Sequence, residues 1–166
     1  MYSIVTDRFN NETLDCNYSY RAKYNYECIY CVPIELSPKI SYGSPVFVIE
    51  MNNSTNQIEG LGLIKNTLVT NKYYKVHIDG NNNRYIYIGN YYMSRDTINQ
   101  YNSLLVCALD KALFKGYTHS KRGTGLTLFP EKVLQSVIAT GINIKTEIKE
   151  LFVRHFREKP FEAGST

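Results

Sequence analysis

This chain of 166 residues has no tryptophan, and its four cysteines complete no metal signature. It also lacks any run approaching the roughly 18 consecutive apolar residues that span a bilayer, which argues against a membrane partner. The opening Met1-Tyr2-Ser3-Ile4 has neither the basic segment nor the apolar core of a signal peptide. The expectation is therefore an intracellular location, in cytoplasm, nucleus or virion, and not secretion. Cys28 and Cys31 have the two-residue spacing of a zinc knuckle, but no second pair accompanies them. They fall in a β-prone run, where residues three apart point to opposite faces unless a turn intervenes. Structural free thiols are expected, with zinc and redox roles as the alternatives; no metal and no cofactor are expected.

Catalytic patterns are missing too. The Gly-x-x-x-x-Gly-Lys-Ser/Thr order of a nucleotide P-loop is absent, and no Ser or Cys sits in a recognised nucleophile elbow. His77 and Asp79 can orient each other on one strand face, which leaves an enzyme open, but nothing completes a catalytic set. The residues argue against an enzyme more than for one.

What is present is globular composition: 43% hydrophobic and 20% charged residues, enough for one core and too short for two ordinary domains. A net charge of +4 is too mild by itself to declare a polyanion partner, so placement must decide. Lys111, Lys115, Lys121 and Arg122 fall close together with His119 among them. Fifteen tyrosines accompany many Asn, Ile and Lys residues, a bias that AT-rich codons produce, so the aromatic content is partly compositional.

Periodicity divides the chain near residue 93. Residues 2–6 and 27–36 are β-prone, the second weakened by Pro33, with a polar stretch between them that reads as a long loop. Gly43-Ser44-Pro45 forms a turn before the dense apolar run 46–51, a buried strand, and an Asn-rich turn leads to a return strand over 57–64. Gly60 and Gly62 in that strand suggest a bulge or close backbone approach. A third hairpin is expected from residues 72–79 and 84–88, with Tyr74, Val76 and Ile78 on its apolar face and Tyr73, Lys75, His77 and Asp79 on the other. Beyond this, Ser94 or Asp96 caps a helix through Leu113 that stops at Gly116. Pro130 opens a short helix ending at Gly141, and residues 144–156 form an amphipathic helix. The expected organisation is one α+β domain: a small antiparallel barrel over 1–92, a mainly helical part over 93–159 and a frayed tail over 160–166.

Two surfaces carry candidate chemistry. In His119-Ser120-Lys121-Arg122-Gly123-Thr124-Gly125, the glycines let backbone N–H groups turn towards an anion while Lys121 and Arg122 supply charge. The alternative is a solvated connector. The expected hairpin face interleaves Tyr73, Lys75 and His77, beside Tyr85 and Tyr87, the usual means of stacking bases while tracking a phosphate backbone. The alternative there is a set of half-buried barrel tyrosines. Arg84 and Arg95 flank the second arm as phosphate contacts or structural ion pairs. The stripe on the last helix either faces its own core or docks a protein partner or second copy.

The strand Gly43-Ser44-Pro45-Val46-Phe47-Val48-Ile49 and its return Gly60-Leu61-Gly62-Leu63-Ile64 resemble the central hairpin of PUA-like domains of the EVE, ASCH and YTH branches. About 25 residues carry the resemblance. Ser44 replaces the frequent acidic residue, and without tryptophan a YTH-type methylated-base cage is not expected. The resemblance implies a small barrel with helices around it and a groove for RNA or DNA. The composition and C-terminal half also resemble proteins of large DNA viruses with AT-rich genomes. The function expected is binding of nucleic acid, RNA or single-stranded, through the basic loop and the aromatic face. The alternative is a non-enzymatic viral structural or assembly protein.

Overall fold

The strand at the centre of the large sheet is a dense apolar run, Val46 to Met51, interrupted by Glu50. In the computed structural model, which describes residues 1–158, that strand pairs on both sides. The elements run β1 (Ser3–Phe9), α1 (Asn11–Tyr24), β2 (Cys28–Val32), β3 (Pro45–Asn52), β4 (Gln57–Lys65), β5 (Tyr85–Gly89) and β6 (Tyr91–Ser94). They continue with α2 (Arg95–Tyr101), α3 (Ser103–Phe114), β7 (Thr127–Leu128), α4 (Glu131–Ile138) and α5 (Ile144–Glu158). One sheet has the order β6-β4-β3-β1-β7, and a second consists of β2 and β5. Residues 46–52 of β3 are buried throughout, as a strand covered on both faces must be.

The α+β class expected from the sequence describes this architecture, but the antiparallel barrel does not form. β1 and β3 are parallel, in register from Ser3↔Val46 to Phe9↔Asn52, and the five-stranded sheet is open with β6 and β7 at its edges. A parallel pair needs a crossover, and the chain between β1 and β3 supplies it through α1 and β2.

The hairpin expected over 72–88 is also absent. β5 pairs antiparallel with β2, from Cys28↔Gly89 to Val32↔Tyr85, and residues 72–78 lie outside any strand. A local lock replaces the ladder. Asn83 Oδ1 accepts from the His77 amide at 2.9 Å while its Nδ2 donates to the His77 carbonyl at 2.8 Å. This reverses the expected faces at the end of the segment: Tyr74 and Val76 are buried, but His77 is buried as well and Ile78 is 80% exposed.

The polar stretch read as a loop is α1. Asn10 caps it with its side chain on the Thr13 amide, Thr13 reciprocates, and Asn25 ends it in the left-handed region at φ 59°. The expected helix over 94–113 is divided in two. Ser94 caps α2, but Asn102 leaves helical geometry at φ −157° and its side chain caps α3 at the Leu105 amide. Pro130 stands just before α4 rather than in its first turn. The expected tail over 160–166 lies outside the described residues.

Helices α2 to α5 cover one face of the large sheet, burying Phe47, Ile49, Leu61, Leu109, Ile148 and Phe152 among others. The stripe on α5 is thus mainly committed to its own core. α1 and the β2–β5 pair cover the other face around Val5, Val48, Tyr30 and Tyr87. A Cβ on Gly62 would collide with the Tyr30 ring and one on Gly60 with Tyr92, so these glycines admit tyrosines across the sheet. The register shift between Glu50 and Met51 puts the expected irregularity in the same place.

Candidate functional site

Packing α1 against the sheet buries charge. Arg21 Nη2 donates to Glu50 Oε2 at 2.6 Å, Tyr30 Oη donates to the same oxygen at 2.7 Å, and Tyr18 Oη donates to Oε1 at 2.6 Å. The Arg21 guanidinium also lies 4.8, 4.9 and 5.4 Å from the ring centres of Tyr18, Tyr92 and Tyr30. Burial opposes the charge on Arg21, but the Glu50 carboxylate outweighs it and holds the guanidinium above its ordinary value. Burial and then the Glu50 charge raise the Tyr18 and Tyr30 hydroxyls, so these phenols stay protonated and donate.

Beyond this cluster, on the same face of the large sheet, β1 ends in Asp7-Arg8-Phe9 beside a cavity of about 160 Å³. Asp7, Arg8, Thr13, Cys31, His77 and residues 123–125 contribute to its lining. Five separate segments therefore close round it. Arg8 is held at two points: Nε donates to the Ser120 carbonyl at 2.6 Å and Nη2 to Thr127 Oγ1 at 2.9 Å. Among the described residues its Nη1 is buried with no hydrogen-bond partner, and so is His77 Nδ1. Two buried nitrogens without partners at one cavity are unusual, because burying an unpaired polar group costs roughly 1–3 kcal/mol.

The electrostatics favour an anion there. Arginine keeps its charge across the physiological range. Burial, and next the Glu50 charge, push Asp7 up to about 8, so at neutral pH its carboxyl is mostly protonated and leaves Arg8 unneutralised. Burial lowers His77 from its usual 6.5, so the ring is neutral and donates from Nδ1 in the tautomer that carries hydrogen there. The main-chain amides of residues 122–125 donate no hydrogen bond within the described residues. Gly123 at φ 138° and Gly125 at φ 74° use the backbone freedom that the sequence suggested for this loop.

A second cleft of about 400 Å³ adjoins the first, lined by Cys16, Ser19, Tyr20, Lys23, Tyr24 and Lys75, among others. The segment 75–77 joins them: Lys75 and Val76 line this cleft and His77 lines the other. Tyr24 is 48% exposed, with Lys23 Nζ 5.2 Å and Lys72 Nζ 6.0 Å from its ring centre. Tyr20 and Tyr26 stack nearby at an interplanar angle of 9°.

The residues expected from the sequence divide accordingly. Gly123 and His77 meet at the first cavity and Lys75 lines the second. Tyr73 is exposed, within 3.4 Å of Asn83 Nδ2. Arg122 is exposed, while half-buried Lys121 uses its carbonyl to accept from Asn53 Nδ2 at 2.9 Å. His119 Nδ1 accepts from the Lys121 amide, which shapes the loop. Arg84 lies over the half-buried Tyr85 ring at 5.5 Å. Arg95 stands apart from both clefts, paired with Asp110 at 2.7 Å and bonded to the Ile58 carbonyl. Asp79 caps the Asn81 amide and makes no hydrogen bond to His77 among the described residues.

Sequence reasoning missed Asp7, Arg8, Lys23, Tyr24 and Lys72. A signal for the first two was available, because Asp7-Arg8 is a charged pair directly after the β-prone run 2–6 and before Phe9. Cys28 and Cys31 pack into different core clusters on opposite faces of β2, and burial pushes Cys28 up to about 12 and Cys31 higher still. Neither is a ready thiolate. Among the described residues no group of three or more His, Cys, Asp and Glu could hold a metal ion, and no helix is long and apolar enough to cross a membrane. Comparison with protein families, with characterised proteins and with solved structures finds no match.

Proposed function

We propose that this protein binds single-stranded nucleic acid, RNA or DNA, with a phosphate at the Arg8–His77 cavity and bases against the Tyr24–Lys75 cleft. The observation that carries the reading is the pair of buried, unpartnered nitrogens, Arg8 Nη1 and His77 Nδ1, at one cavity bordered by the glycine loop. With a small shift of the lining that opens these nitrogens to the cavity, phosphate oxygens would supply the acceptors that they lack. The neighbouring cleft offers an exposed ring with two ammonium groups close by, which suits base stacking and backbone neutralisation together. Lys121 and Arg122 add charge beside the cavity.

Titration of single- and double-stranded RNA and DNA at two salt concentrations tests this. The expected result is preference for a single strand, with affinity falling as salt rises because counterions are released. Absence of micromolar binding to any of them at low salt would remove the reading.

A second reading, assembly through protein contacts, draws on one observation. A groove of about 410 Å³ between α5 and the sheet is lined by Phe47, Leu63, Tyr91, Phe152 and Phe156, with Lys149 and Arg157 also contributing. Self-association through that groove would make the mass in sedimentation rise with concentration, and Val153→Glu would abolish the rise.

A further inference from the structure

We propose that the Arg8–His77 cavity receives a terminal phosphate monoester, so that the strand is held by its phosphorylated end; this rests on the nucleic-acid reading above. Size is the first argument. The cavity holds about 160 Å³, roughly half the lower end of the 300–1,000 Å³ that accommodates a drug-sized ligand. A phosphate group fits such a space, whereas a whole nucleotide does not.

Enclosure is the second argument. β1, the first turn of α1, the end of β2, the loop around His77 and Asn82, and the loop 123–125 each contribute to the lining. A phosphodiester inside a strand has two ester substituents, and both must find a way out of the cavity. A monoester has one. The cleft beside it, reached across residues 75–77, lies where the first nucleotides would run.

The donors suit the same group. A monoester at neutral pH has three acceptor oxygens and close to two negative charges, more than an internal diester presents. Arg8 meets that demand with a guanidinium already fixed by Ser120 and Thr127, so little ordering is needed on binding. His77 adds a second donor, and its place is fixed by the Asn83 lock on its backbone. Asp7, mostly protonated at neutral pH, adds no opposing charge.

The test uses strands of one sequence, about eight nucleotides long, with an internal fluorescent label. They carry a 5′ phosphate, a 3′ phosphate or hydroxyls at both ends, as DNA and as RNA, and binding is read by anisotropy. One phosphorylated form should bind about tenfold or more tightly than the hydroxyl form, and inorganic phosphate should compete that excess away. Arg8→Gln should remove the preference, bringing the phosphorylated strands to the affinity of the hydroxyl strand. Because Arg8 also braces two loops, Thr124→Asp serves as a second variant. Thr124 is exposed at the cavity, so the change leaves the fold intact, checked by thermal unfolding, and its carboxylate should repel the phosphate. Equal affinity for all three strands overturns end recognition and leaves nucleic-acid binding standing. Failure of every strand to bind overturns both. A preference that survives in both variants removes this cavity as its source.

Discussion

Arg21 and Glu50 meet at 2.6 Å with both side chains buried, exposed by only 7% and 0%. The pair ties α1 to β3, and Tyr18 and Tyr30 complete it by donating to the same carboxylate. A helix whose buried residues are Leu14, Asn17 and Arg21 has little apolar surface to hold it. Its attachment is polar instead, including the bond from Asn17 Nδ2 to the Ile29 carbonyl at 2.7 Å.

Breaking that pair from one side should be costly, because it leaves an uncompensated buried charge. Glu50→Gln or Arg21→Met should each lower unfolding free energy by about 3–5 kcal/mol. The double variant should recover part of this loss, since it buries no lone charge. Urea unfolding of the three variants measures both effects, and additive losses would contradict the coupling.

Asp7 makes stability depend on pH in a sense opposite to most carboxylates. Its folded value, raised from 3.8 to about 8, means that the folded state holds a proton the unfolded chain has already released. The stabilisation is fully present below the unfolded value and is lost as pH rises through about 8. Glu50, Arg8, Arg21 and Cys31 are the charged and titratable groups acting on or affected by it. Asp7→Asn should match the parent protein at about pH 4 and become progressively more stable than it up to about pH 9. Unfolding curves across that range check the sign; a gap that narrows as pH rises would refute it.

Gly62 faces Tyr30 so closely that any Cβ must displace a fully buried ring. Gly62→Ala should therefore destabilise by about 1–3 kcal/mol, as overpacking does. Gly43→Ala makes a useful comparison, because its strain at φ 75° comes from the backbone alone and nothing lies within 4 Å of its Cβ. In the Gly62 variant the Tyr30 ring signals should shift in NMR spectra, and in the Gly43 variant they should not.

The strands and helices that the sequence revealed were those marked by local apolar pattern. The β3–β4 hairpin could be read from a dense apolar run bounded by turn residues, and α5 from apolar residues recurring at helical spacing. α1 could not, because its buried stripe includes Asn17 and Arg21, polar residues satisfied by partners far along the chain. The supposed hairpin over 72–88 alternates correctly up to Val76, yet alternation says nothing of which strand pairs with which. Here β5 found β2, more than fifty residues earlier. The candidate site was legible in its loop and in His77 and Lys75, since glycine geometry and charge are local properties. Arg8 joins them only through the fold, which brings the end of β1 beside a loop 112 residues later.

The basic loop and the tyrosine cleft should leave different signatures on binding. Lys121 and Arg122 are side-chain charges beside the cavity, and the bond that Lys121 makes to Asn53 uses its main chain. Removing both side chains with Lys121→Ala and Arg122→Ala should therefore spare the fold. It should weaken binding of all sequences alike and make the salt slope shallower by about one to two units, one for each phosphate left unneutralised. Tyr24→Ala acts on stacking instead. Tyr24 is 48% exposed and stands outside the buried core, and its loss should weaken binding by about 1–3 kcal/mol while the slope stays the same. Lys72→Ala should do both to a smaller degree, because its ammonium lies near the Tyr24 ring and 4.9 Å from the Tyr74 ring centre. Anisotropy titrations over a salt series separate the two effects. A Tyr24→Ala protein that binds as tightly as the parent would exclude that ring as a stacking platform and confine recognition to the phosphate cavity and its loop.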